Sequence, residues 1–73
     1  MKVNIQLLEK KILESGMTIE DFSKNMGISP STYYRKREKG CLTFSVGQMH
    51  SIVEILGLSM EEANNIFLAK NSH

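Results

Sequence analysis

The chain has no tryptophan, one proline and one cysteine in 73 residues, and no apolar run approaching the roughly 20 residues that a membrane-spanning helix needs. A single cysteine, Cys41, excludes an internal disulfide, which fits a reducing compartment and leaves the core without staples. The opening stretch MKVNIQLLEKK lacks the uninterrupted apolar segment and small-residue cleavage site of a signal peptide, so a cytoplasmic protein is expected. No carboxylate pair, Ser/His/Asp set or Gly-rich phosphate loop stands out, and catalysis is not expected. Cys41, His50 and His73 match no closed zinc spacing and want a fourth ligand, so neither metal nor cofactor is expected. At 8.3 kDa the chain has room for one small core, and residues 1–73 read as one domain without a cleft between lobes.

What is present is charge in one place. The net charge is only +1, yet SPSTYYRKREKG, residues 29–40, holds Arg35, Lys36, Arg37 and Lys39 against Glu38, a net +3. The other 61 residues hold five lysines and seven acids, a net −2. A basic patch on a near-neutral body implies a polyanionic partner, although a short run of this kind is also what a solvated helix end looks like.

Apolar residues recur at helical spacing, and helix starts repeat with the same grammar. Thr18, Ser29, Ser45 and Ser59 are capping residues, each preceded by an apolar residue and followed four positions later by another, the pattern of a hydrophobic staple. The pairs are Met17 with Phe22, Ile28 with Tyr33, Phe44 with Met49, and Leu58 with Ala63. Gln48 and Glu62 complete capping boxes, Asp21 stands where a third box would have glutamate, and Pro30 takes the first helical position. Gly16, Gly27, Gly40 and Gly57 are the matching stops. Five helices follow, near 4–15, 18–26, 29–38, 45–56 and 59–68, an all-α fold. Ile5, Leu8, Ile12, Ile19, Phe22, Tyr33, Val46, Met49, Ile52, Val53, Leu56, Ala63, Ile66 and Phe67 are expected in the core.

Helices two and three are joined by Gly27-Ile28-Ser29, a turn short enough to force a steep crossing. Ser23 supplies a small residue at the approach, Gly27 a positive φ, and Ile28 an apolar plug. With these features, TIEDFSKNMGISPSTYYRK resembles the helix-turn-helix of the lambda-repressor-like, or XRE, family of transcriptional regulators. The resemblance covers most of the chain, since a leading helix precedes GMT and an apolar helix ends in EILGLSMEE. STYYRK and LGLSMEE are similar to segments of small phage-derived members of that group.

The resemblance implies a five-helix DNA-binding domain whose third helix lies in the major groove of double-stranded DNA. Ser31 and Arg35 are then the base-reading candidates, with Arg35 suited to a guanine edge. Ser29 and Thr32 suit phosphate contacts at the helix N-terminus, and Tyr34 a sugar or a thymine methyl. Lys36, Arg37 and Lys39 supply attraction to the backbone. Pro30 stands where many members carry a long polar base-reading side chain. Lys36 and Arg37 stand where the family often has an apolar residue, and one of them is expected to lay its stem across the core and keep its charge in water. Gln6, Lys10 and Lys24 read as plain surface. A homodimer, at least on DNA, is expected, through Leu68 and the C-terminal tail or apolar positions at the end of helix four. The competing reading keeps the fold and makes it a protein-interaction module, such as an antitoxin or a polymerase-binding protein, with only non-specific DNA binding.

Overall fold

Each helix begins where a side-chain oxygen satisfies a backbone N–H that the helix itself leaves unpaired. In the computed structural model, which describes residues 3–68, the helices are α1 (Ile5–Glu14), α2 (Ile19–Asn25), α3 (Pro30–Glu38), α4 (Val46–Leu56) and α5 (Met60–Phe67). No strand is present among the described residues. Thr18, Ser29, Ser45 and Ser59 cap α2 to α5 as expected, and Asn4, expected as the first residue of α1, is instead its cap. The boxes of Ser45 with Gln48 and Ser59 with Glu62 are complete. At Thr18 only one half forms, the Asp21 N–H donating to Thr18 Oγ1 at 3.0 Å, because aspartate is one methylene short of the usual glutamate.

Helix ends follow one pattern. The N–H of Met17 donates to the carbonyl of Ile12, Ile28 to Ser23, Cys41 to Lys36 and Leu58 to Val53, at 2.9 to 3.3 Å. Each bond wraps around a glycine with left-handed φ, the six-to-one bond of a Schellman ending. Gly57, with φ 63° and ψ 41°, shows why a side chain is disfavoured there. Three of the four joints are then the same tripeptide pattern: Gly16-Met17-Thr18, Gly27-Ile28-Ser29 and Gly57-Leu58-Ser59. The glycine ends one helix, the apolar residue packs beneath the bend, and the hydroxyl starts the next helix.

The fourth joint, Gly40 to Ser45, is three residues longer and feeds the core. Leu42 and Phe44 are buried there, with Met26 and Leu58 joining Leu8, Ile12, Phe22, Tyr33, Ile52, Ile66 and Phe67. Leu42 and Met26 were not expected inside. Ile5, Ile19, Met49, Val53, Leu56 and Ala63 pack against this core half-buried. Val46, expected in the core, is 67% exposed: it is the first residue of α4 and lies at the edge of the arc spanned by Met49, Ile52, Val53 and Leu56.

All five aromatic rings form one edge-to-face series, Tyr34 to Tyr33 to Phe22 to Phe44 to Phe67, with centroids 5.7 to 6.3 Å apart and planes at 81° to 88°. It runs from α3 through α2 and the long joint to α5. Elsewhere the two ends of the chain meet. The Asn4 N–H donates to the Ile66 carbonyl at 2.8 Å, and Lys11 of α1 pairs with Glu62 of α5. Gln48 Nε2 donates to the Met26 carbonyl at 3.1 Å, fastening the start of α4 to the end of α2.

Two measurements test this packing. Phe44→Ala removes the ring between Phe22 and Phe67, and urea unfolding should show a loss of about 3–5 kcal/mol. The bond from Lys11, aided by the Ser59 N–H, holds the Glu62 carboxyl below its ordinary 4.5, and the bond to Glu62 raises Lys11. The Glu62 contribution is therefore present above that ordinary value and is lost as pH falls through the lower folded one. Glu62→Gln keeps the capping box and loses the charge, so its stability should fall less steeply with acidification than that of the native chain.

Candidate nucleic-acid interface

Seen from its own sequence, α3 has almost nothing to bury, and Tyr33 is its only buried side chain. That one residue fixes which way the others face. At 100° per residue, Ser31, Arg35 and Lys39 lie in a row opposite Tyr33, with Thr32 and Lys36 alongside. Arg35, Lys36 and Lys39 are exposed and make no ion pair among the described residues. Glu38 is also exposed and borders the same row.

The N-terminal turn gathers three hydroxyls. Ser29 Oγ accepts from the Thr32 N–H at 3.2 Å and donates to Thr32 Oγ1 at 2.8 Å, and it lies 3.4 Å from Ser31 Oγ. Ser29 and Ser31 are exposed and Thr32 is half-buried. The structure thus brings together Ser29, Ser31, Thr32, Arg35, Lys36 and Lys39 on one face of one helix.

Arg37 and Tyr34 are placed differently. Tyr34 is half-buried against Tyr33, and its hydroxyl donates to Glu20 of α2 at 3.4 Å. The Arg37 guanidinium lies 4.8 Å from the centre of the Tyr34 ring and donates from Nη1 to both Glu9 oxygens, at 2.9 and 3.2 Å. Glu9 Oε2 also accepts from the Tyr33 hydroxyl at 2.8 Å. Of Lys36 and Arg37, it is Arg37 that turns back across the protein, but its charge is paired with Glu9 where a charge kept in water was expected. Gln6, Lys10 and Lys24 are exposed.

Glu9 and Glu20 were missed by sequence reading because their partners lie 14 to 28 residues away. One signal was available for Glu9. It stands four residues after Ile5 and three before Ile12, an acid on the apolar stripe of α1. His73, considered as a metal ligand, lies outside the described residues, as does the C-terminal tail beyond Leu68. Among the described residues no group of three His, Cys, Asp or Glu side chains is arranged to hold a metal ion.

Comparison of the chain with family models, curated proteins and solved structures returned no match. The functional reading therefore rests on the site.

Burial, with the Glu9 hydrogen bond, pushes the Tyr33 phenol far above its ordinary 10.0. A phenol with a raised folded value adds stability that is complete below the unfolded value and is lost as pH rises through the folded one. In a spectrophotometric titration, the Tyr33 share of the tyrosinate signal should be missing from native protein at pH 10 and should appear together with unfolding. Tyr33→Phe, which removes the bond to Glu9, should cost about 1 kcal/mol in denaturant unfolding.

Proposed function

We propose that the chain is a sequence-specific DNA-binding transcriptional regulator of the lambda-repressor-like type, a small phage-type repressor or Cro-like protein. In this reading α2 and α3 are the helix-turn-helix and α3 enters the major groove. The observation that carries the reading is the outward row of Ser31, Arg35 and Lys39, with Thr32 and Lys36 beside it. These cations have no ion-pair partner among the described residues; Glu38 borders their row, and Glu9 and Glu20 on the neighbouring helices are bonded to Tyr33, Arg37 and Tyr34 instead.

Dimensions agree with that placement. An α-helix about 10–12 Å across fits a major groove about 12 Å wide. Ser31 and Arg35, in the N-terminal half of α3, are the base-reading residues, since the N-terminal part of a recognition helix faces the base edges. Arg35 presents a planar fork of donors that matches guanine O6 and N7. The Thr32 hydroxyl and the Ser31 N–H take a phosphate oxygen, and Ser29, whose proton goes to Thr32 Oγ1, joins them by turning that hydroxyl outward. Lys36 and Lys39 add attraction to the backbone. Tyr34 contributes less than its sequence position implies, because its ring and hydroxyl are engaged by Arg37 and Glu20. One module of this size buries little surface on DNA, so two copies on a two-fold site, about 34–36 Å between half-sites, supply the affinity.

One observation favours the protein-interaction reading. Between α4 and α5 runs a groove of about 210 Å³ lined by Met49, His50, Val53, Ala63 and Phe67, with Leu68 beside it 52% exposed. Selection from a randomised duplex pool, followed by anisotropy on the retained sequence, separates the two readings. A DNA reader enriches a two-fold symmetric sequence, and Arg35→Ala weakens binding to it by about 1–3 kcal/mol. Lys36→Gln and Lys39→Gln each lower the slope of log K against log salt by about 0.9. A pool that enriches nothing, with Arg35→Ala binding as the native chain does, removes the DNA reading.

A further inference from the structure

α3 carries three cations and its C-cap, Lys39, is a fourth, and the structure treats one of the four differently. Arg35, Lys36 and Lys39 are exposed, whereas Arg37 is held by Glu9 of α1 from one side and by the Tyr34 ring from the other. The two side chains of the pair are only 32% and 21% exposed, so water screens them less than it would a surface pair. Glu9 spends its remaining lone pairs on the buried Tyr33 hydroxyl, and Tyr34 is itself tied to Glu20. Two side chains thus touch the guanidinium, and each of them is fixed by another.

A DNA phosphate and the Glu9 carboxylate offer Arg37 the same thing, an anionic oxygen pair for its planar donors. They compete for one group. Nη1 is spent on both Glu9 oxygens, and to turn the guanidinium toward a phosphate beside Arg35 and Lys39 the side chain has to swing away from the carboxylate and the ring face. Contacts to phosphate carry no sequence information, so each added one strengthens binding to every duplex alike and lowers the ratio of specific to non-specific affinity.

We propose that Glu9 is a specificity-determining residue that withholds Arg37 from the DNA backbone while anchoring α3 through Tyr33. On this helix, charge attraction to the DNA backbone is thereby left to Lys36 and Lys39, and Arg35 is kept for the base edges. The proposal rests on α3 being the DNA-contacting helix. Glu9 touches no base and acts only through Arg37 and Tyr33, as a positioning residue.

The test is a double-mutant cycle of Glu9→Gln and Arg37→Gln, read as the salt slope on a random-sequence duplex. Glutamine at position 9 retains an oxygen for the Tyr33 hydroxyl and loses the charge. Glu9→Gln should steepen the slope by about 0.9, an extra loss of roughly threefold in affinity between about 50 and about 200 mM salt. Its preference for any selected sequence over random duplex should fall. Arg37→Gln alone should leave the slope unchanged, and in the Glu9→Gln background it should restore the native slope. A folded Glu9→Gln protein with the native slope overturns the proposal. So does an Arg37→Gln protein whose slope drops by one contact, since Arg37 would then already reach phosphate. If Glu9→Gln does not fold, the Arg37→Gln slope decides alone. Failure of the DNA reading shows elsewhere, as an Arg35→Ala protein with unchanged affinity for both duplexes.

Discussion

Everything distinctive about α3 depends on the burial of one phenol. A nine-residue helix with three adjacent cations and two serine or threonine hydroxyls has no apolar face of its own, so its orientation comes from Tyr33. The ring packs edge-on against Phe22, and the hydroxyl donates to Glu9 across the gap to α1. The bond makes the burial affordable, because an unpartnered hydroxyl at that depth costs a substantial fraction of a small domain's stability. With the anchor set, the helical repeat alone turns Ser31, Arg35 and Lys39 outward.

The core around that anchor is small and is organised by rings. Phe44, supplied by the long joint between α3 and α4, stands between Phe22 and Phe67, and so links α2 to α5. Leu42 of the same joint is buried as well. An extended segment thus does what a helix face does elsewhere in the fold. The three extra residues relative to the other joints are what allow both side chains to reach inward. Ser23, fully buried on α2, is satisfied by the Ile19 carbonyl at 2.9 Å, leaving the α2 and α3 approach without an orphaned polar group.

Features governed by near neighbours were legible in the sequence. A hydroxyl followed three residues later by glutamine or glutamate, or a glycine after a periodic run, acts within one turn, so caps and stops could be read at Ser45, Ser59, Gly27 and Gly57. The direction of Tyr33 followed from its staple with Ile28. What could not be read depends on distant partners. Arg37 is a basic-patch residue by sequence, yet Glu9, 28 positions earlier, takes its charge. Val46 has the right period for the core but sits where α4 begins, and Leu42 has no period at all. Ser31 and Arg35 were legible as outward residues once Tyr33 is placed inward, whereas Thr32 and Tyr34, read onto the same side, are half-buried.

The repeated glycine, apolar residue and hydroxyl at three of the four bends bears on how the chain finds its fold. Each bend is closed by a bond spanning five residues, so little loop-closure entropy stands in the way of forming α1 with α2, α2 with α3, or α4 with α5. Such local closure belongs to the fast end of the range of folding rates. The contacts of greatest sequence separation, Asn4 with Ile66 and Lys11 with Glu62, join the outer helices and close the longest loops of chain, so they carry the largest closure entropy in the fold.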